Sequence, residues 1–230
     1  MIHIESDNVN QAFIDIAKCI LNKGKENSPR GLKTKEICDM FITIKNPEDG
    51  ICSLDSRALQ RAYLEGEMQF YLSGSLNVND IIKFSSFWKN LADSNGTINS
   101  NYGFLALIEK FSGKSQLEWC IDSIQKDRYT RQSLINYNQP KHKYINNKDF
   151  PCSISQQFVV RDEKLDTITL MRSNDFIFGF TYDLPWFIYL QTVVSEKTNI
   201  EKGTYNHYAT SFHVYERHFE LLKKIAEDKI

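Results

Sequence analysis

Cys152 follows Asp149-Phe150-Pro151 at the mouth of a β-rich stretch, where a thiol stands exposed instead of packed and is able to act as a nucleophile. Further on, Met171-Arg172-Ser173-Asn174-Asp175 sets a guanidinium, a hydroxyl, an amide and a carboxylate side by side, a denser polar cluster than a turn needs. Arg30, Arg131 and Arg172 are able to share one dianionic phosphate, while Arg131 taken alone equally suits a surface ion pair. Glu67 falls towards the C-terminal end of a helical pattern, where a carboxylate opposes the helix dipole and so needs another reason to be present. Together these groups point to a phosphorylated, ring-bearing small substrate. The remaining cysteines, Cys19, Cys38, Cys52 and Cys120, are scattered without a CxxC pair. That spacing suits neither a disulfide framework nor a zinc site, so reduced, mostly packed thiols and no metal are expected.

Hydrophobic periodicity predicts the scaffold. Val9, Phe13, Ile16, Ala17, Ile20 and Leu21 recur at helical spacing up to Asn22-Lys23-Gly24. The loop Asn27 to Gly31 then feeds a β-branched run over residues 32–44. Helices are predicted over Ser56–Leu72, Ile81–Ala92 and Ser115–Arg128, with the irregular polar stretch Asn99–Gly103 between the last two. The second half reads as strands at Ser133–Tyr137, Ser153–Arg161 and Leu165–Met171, the last two joined as a hairpin across Asp162-Glu163-Lys164. A buried helix Leu184–Val194 opens on Asp183-Leu184-Pro185, a strand covers Ala209–Val214, and an amphipathic helix runs from Phe219 to Ile230. Helices and strands without regular βαβ alternation make this an α+β chain around a mixed or mostly antiparallel sheet.

The chain of 230 residues is 41% hydrophobic and 25% charged, an ordinary globular composition that excludes disorder and suits a single domain over 1–230. Lys+Arg 28 against Asp+Glu 29 leaves a charge of −1, so there is no global field for nucleic acid or anionic lipid. A nucleic acid polymer is disfavoured as substrate. No apolar run approaches membrane-spanning length, and the first residues lack the basic and apolar regions of a signal peptide, so a cytosolic protein without a membrane partner is expected.

The segment DFPCSISQQFVVRDEKLDTITLMRSNDFIFGFTYDLPW, Asp149 to Trp186, resembles the thymidylate synthase superfamily and, within it, the cytidylate hydroxymethylases. Ser211-Phe212-His213-Val214-Tyr215-Glu216-Arg217-His218 and the stretch Trp88 to Gly103 match in the same order, so the likeness runs over about residues 28–220. Its motifs Pro-Cys, Arg-Ser-x-Asp, Phe-Gly and His-x-Tyr stand at the family's separations. The resemblance implies a mixed β-sheet flanked by helices and a homodimer formed through that sheet. It implies that Cys152 adds to C6 of a pyrimidine, which makes C5 nucleophilic towards the one-carbon unit of 5,10-methylenetetrahydrofolate. Arg172 and Ser173 match phosphate ligands, with Arg172 also favouring the thiolate. Arg131 matches an arginine that reaches the phosphate from the other subunit, and Arg30 falls one position from the family's phosphate-loop arginine. His213 and Tyr215 match the pair on the sugar 3′-hydroxyl, and Glu67 the glutamate that organises water and proton transfer. Trp88, Asp175 and Gly179 match folate contacts, and Tyr102 a tyrosine near the nucleophile and C5.

Asp183 departs from the synthases, which place an asparagine there to suit uracil. A carboxyl group suits cytosine instead: one oxygen accepts from N4 and a shared proton bridges to N3, which also activates the ring. A site built for one base leaves groups unpaired with the other. The same aspartate also suits a plain helix cap before Leu184-Pro185. Ser153 stands where synthases commonly carry histidine, and the chain ends at Ile230 without the segment with which synthases close over folate. Since hydroxymethylation needs water and methylation must exclude it, the expected activity is 5-hydroxymethylation of dCMP or CMP. Thymidylate synthase, deoxyuridylate hydroxymethylase and a non-catalytic nucleotide-binding protein stand as alternatives.

Overall fold

The computed structural model describes residues 1–229. The first half of the chain runs β1 (Ile2–Asn8), α1 (Val9–Lys23), β2 (Lys25–Asn27), β3 (Thr34–Asn46), α2 (Arg61–Ser73), β4 (Lys110–Phe111), β5 (Lys114–Ser115) and α3 (Gln116–Lys126). The second runs β6 (Leu134–Asn136), β7 (Ser153–Arg161), β8 (Lys164–Met171), β9 (Asn174–Asp175), α4 (Thr181–Thr198), β10 (Lys202–Tyr215) and α5 (Phe219–Glu227). The chain divides into two compact units, one of Met1–Leu59 with the residues from Arg161 onward, the other of Gln60–Val160.

In the first unit the sheet order is β1-β3-β10-β8, with β2 on β3 and β9 on β10. β10 is antiparallel to β3, from Tyr205↔Ile44 to Tyr215↔Thr34, and parallel to β8 and β9. The sheet is therefore mixed, as the sequence pattern implies. β8 holds β10 through Met171↔Ala209, and β9 resumes at Asn174↔Phe212 in the same register. The ladder skips Arg172 and Ser173, so the polar cluster sits at an interruption in one strand. Helix α1 starts on Asn8, whose Oδ1 accepts from the Gln11 amide at 2.9 Å, and buries Phe13, Ile16 and Ile20 as its periodicity requires. Phe13 packs on Phe176 and Phe180 with ring centroids 5.2 and 5.5 Å apart.

In the second unit α2 ends at Gly74 in the left-handed region (φ 61°), and β6 pairs antiparallel with β7. Helix α3 opens with a capping box: the Glu118 amide donates to Ser115 Oγ at 3.2 Å and the Ser115 amide to Glu118 Oε2 at 2.7 Å.

Five sequence expectations change. The helix over Ile81–Ala92 is replaced by 3₁₀ turns at Val78–Asp80 and Ser86–Asn90. There the Asn77 and Ser85 side chains accept the amides of Asn79 and Phe87, competing with a continuous helix. The helix over Ser56–Leu72 is broken by Ala58 at φ 47°. Helix α4 begins at Thr181, three residues before Leu184, because a π-helical turn over Phe176–Phe180 feeds it. Strand β10 extends well beyond Ala209–Val214, and β1 is a strand that the polar first residues disguise. Asp162 and Glu163 both adopt positive φ (47° and 61°), the backbone of a two-residue hairpin turn. Among the described residues no helix is long and apolar enough to cross a membrane.

Ser115→Ala removes one side of the capping box and is expected to lower stability by about 1 kcal/mol, read as a shift of the urea midpoint at unchanged m-value.

Candidate active site

In the first unit the site is built on β9, the π-helical turn and the start of α4. Asp175 ends β9 and its Oδ1 accepts from the Ile177 amide at 2.9 Å, capping the turn that becomes α4. Asp183 is thus not the cap of the helix. Instead its Oδ2 accepts from Asn174 Nδ2 at 2.9 Å. Burial pushes the Asp183 carboxyl from an ordinary 3.8 up to about 7; the Asn174 bond pulls it down and the Asp175 charge pushes it further up. Near neutral pH this group is therefore able to hold a proton. Close by on β10, the Tyr205 hydroxyl meets His207 Nδ1 at 3.1 Å, and burial pushes His207 down to about 3, which keeps the imidazole neutral.

Opposite Asp175 in the sheet register stands His213, which burial moves down while Asp175 and Glu36 draw it up. Its ring meets Tyr215 edge-on with centroids 5.2 Å apart. Asp175 is raised by burial, a rise limited by the Ile177 amide and by the charges of His213, His218 and Arg217. The Arg217 guanidinium lies 4.7 Å from the Tyr215 ring centre and 5.9 Å from that of the half-exposed Phe178. Arg172 and Ser173 are half-buried, and Arg30 is exposed with left-handed φ 55°.

In the second unit Glu67 is 5% exposed on α2, and its Oε1 accepts from the Tyr63 hydroxyl at 2.8 Å. The Trp88 indole N–H in turn donates to that hydroxyl at 3.2 Å. A carboxylate, a phenol and an indole therefore form a chain that satisfies the buried acid; α2 places Glu67 mid-helix and not in the last turn that the sequence pattern suggests. Tyr102 is buried, stacked on Tyr71 with centroids 5.4 Å apart. Its neighbour Gly103 is required by that packing, since a Cβ there would lie 1.7 Å from the Tyr71 carbonyl oxygen. The preceding Asn101 anchors the segment, with Nδ2 donating to the carbonyls of Phe70 and Ser75 at 2.8 Å each.

Cys152 is half-buried on a bend before β7. Three residues earlier, the buried Asp149 accepts the amides of both Asn99 and Ser100 on Oδ2 at 2.6 Å. Asn138 Nδ2 donates to the Pro151 carbonyl at 2.9 Å from the other side. The Cys152 loop is thereby tied to the Asn99–Gly103 segment that carries Tyr102. Arg131 is exposed on a bend, its carbonyl accepting from Gln157 Nε2 at 2.9 Å. Among the described residues no group of three or more His, Cys, Asp or Glu side chains could hold a metal ion.

The thymidylate synthase family profile matches residues 11–229. The chain belongs to the thymidylate synthase family. It is 33% identical over 204 residues to the deoxycytidylate 5-hydroxymethyltransferase of Enterobacteria phage T4, covering 84% of this chain and 80% of that one. The deoxyuridylate hydroxymethyltransferase of Bacillus phage SP01 is 28% identical over 216 residues, 89% of this chain and 56% of its own. Thermostable thymidylate synthase A from Bacillus subtilis shares the fold at TM-score 0.77 and 20% identity, covering 97% of this chain and 86% of that one. Membership of this family makes the protein a one-carbon transferase.

Within the units, the structure brings Glu67 together with Trp88, His213 with Tyr215 and Asp175, and Asp183 with Gly179. Three residues in these groups were not assigned roles from sequence. Tyr63 reads as part of an apolar helix face, yet its i, i+4 spacing from Glu67 is a signal for the bond it makes. Asn174 lies inside the polar cluster, and Asp149 within the Asp-Phe-Pro-Cys run, but neither position declares its partner.

Between about pH 4 and pH 7 the unfolded chain ionises Asp183 while the folded chain keeps the proton, so this group lowers stability as pH rises through that window and no further above it. Asp183→Asn is expected to be more stable than wild type at pH 8 by about 2–4 kcal/mol, with the gap closing towards pH 4; denaturant titrations at the two pH values measure it. Asp149→Leu leaves two buried amides without their acceptor and is expected to cost about 2–4 kcal/mol in the same assay.

Proposed function

We propose that the chain is a cytidylate 5-hydroxymethyltransferase: dCMP or CMP, 5,10-methylenetetrahydrofolate and water give the 5-hydroxymethyl nucleotide and tetrahydrofolate. One observation carries the choice of base. The Asp183 carboxyl is released from capping, is bonded to Asn174 and is pushed up to about 7, so at neutral pH it offers both an accepting oxygen and a proton. A cytosine ring asks for those two groups at N4 and N3, whereas uracil presents N3–H and a 4-oxygen. The 33% identity to the phage T4 enzyme, named for deoxycytidylate, agrees with this reading.

In this reading Arg172 and Ser173, with Arg30 and with Arg131 of a second copy, hold the 5′-phosphate, and His213 with Tyr215 holds the sugar hydroxyl. The Cys152 thiolate adds to C6, the C5–C6 π electrons move to C5, and the Asp183 proton at N3 takes up electron density as the ring loses aromaticity. Glu67, held by Tyr63, positions the water that takes up the C5 proton once the one-carbon unit is on C5 and the water that adds to that carbon as the folate nitrogen leaves it; Cys152 then leaves C6 as thiolate and the ring is restored, with Tyr102 assigned to the reacting edge. Trp88, Asp175 and Gly179 would hold the folate. The half-exposed Phe178 ring, with His218 edge-on to it and the Arg217 cation over it, suits a flat heteroaromatic ligand with an anionic tail. When bound, the folate supplies the one-carbon unit.

The SP01 relative, named for deoxyuridylate, supports a second reading in which dUMP is the substrate. Mass spectrometry of dCMP, CMP and dUMP in competition, with methylenetetrahydrofolate, separates the two. A gain of CH₂O on a cytosine nucleotide is expected, lost in Cys152→Ala together with exchange of the C5 hydrogen. Asp183→Asn is expected to lower the cytosine-to-uracil preference by a factor of about 10²–10⁴; unchanged preference, or product on dUMP alone, would overturn the reading.

A further inference from the structure

Asn174 is 3% exposed on β9, paired with Phe212 in the ladder, so its backbone has little freedom. Its Nδ2 is committed to Asp183 Oδ2, while its Oδ1 is buried with no partner among the described residues. A buried amide oxygen without a donor is unusual in a native protein and calls for a donor from outside the described residues, a water or a ligand. Gly179 preserves the arrangement: a Cβ there would lie 2.6 Å from Asn174 Nδ2 and 3.4 Å from Asp183 Oδ2. One hydrogen-bonded pair thus carries two acceptors, the carboxyl of Asp183 and the amide oxygen of Asn174.

Resting on the cytidylate reading above, we propose that Asn174 is a second specificity-determining residue, whose Oδ1 accepts one hydrogen of the cytosine 4-amino group while its Nδ2 fixes Asp183 Oδ2 as the oxygen that accepts the other. The carboxyl proton is then directed to the remaining oxygen, facing N3. An exocyclic amine carries two hydrogens and satisfies both acceptors. A 4-oxo group would set a lone pair against each and leave Oδ1 unpaired, so Asn174 both attracts the amine and repels the oxo group.

The test is equilibrium binding of dCMP and of its analogue lacking the 4-amino group, the 2-pyrimidinone deoxyribonucleotide, to the full-length wild type, Asn174→Ala and Asn174→Ser. The variants are expected to bind dCMP about 10–100-fold more weakly and the analogue within about threefold of wild type, with the dCMP-to-dUMP ratio of kcat/KM falling to match. Equal losses for both ligands, or none for either, would assign Asn174 a structural role only and overturn the proposal while the cytidylate reading stands. A wild type that binds and turns over no cytosine nucleotide would bring down both. The serine variant, smaller and still polar, keeps the comparison available if alanine impairs folding.

Discussion

Strand β10 is the constraint on which the first unit depends. Its fourteen residues pair antiparallel with β3 on one side and parallel with β8 and then β9 on the other. Such a strand buries alternate residues over most of its length, and its register fixes those of its neighbours. Because β8 and β9 share one register across an interruption, Arg172 and Ser173 leave the ladder at a defined height. The same strand brings His213 opposite Asp175 and carries Tyr205 and His207 in the interior. A slip of one residue would turn all of these to the wrong face.

The interruption has a chemical consequence. Asn174 is held in the ladder while its side chain reaches Asp183 on α4, and Asp175 takes over the capping of the turn. The division of labour between two acids is what frees Asp183. Burial raises both carboxyls; for Asp175 the Ile177 amide and the neighbouring His213, His218 and Arg217 oppose the rise, while for Asp183 the Asn174 amide opposes it and the Asp175 charge adds to it.

The second unit solves a different problem, the placing of irregular backbone. The Asn99–Gly103 segment and the loop before Cys152 have little regular structure, yet Asp149, Asn101 and Asn138 tie them through backbone hydrogen bonds. Buried carboxylates and amides that accept or donate to main chain give loops the precision that a site requires. Glu67, Tyr63 and Trp88 form the corresponding side-chain chain on α2. A single family profile spans residues 11–229 and so covers elements of both units.

Much of this was legible in the amino-acid sequence. The helices α1 and α3 and the strands β3, β7 and β8 follow from periodicity and turn residues, and the order of Pro-Cys, Arg-Ser-x-Asp and His-x-Tyr places the chain in its family. What could be read there is what depends on residue type and local spacing: a thiol after Pro151, the polar run Arg172–Asp175 and a carboxyl at position 183. The helix predicted over Ile81–Ala92 fails where Asn77 and Ser85 bond to their own backbone, a competition that apolar spacing does not report. Only the tertiary structure decided that Asp183 does not cap a helix, because the answer depends on where α4 begins and on Asn174, nine residues away on another element. Residue order determines which groups are available; their protonation and their partners are set by burial and by neighbours that arrive through the fold.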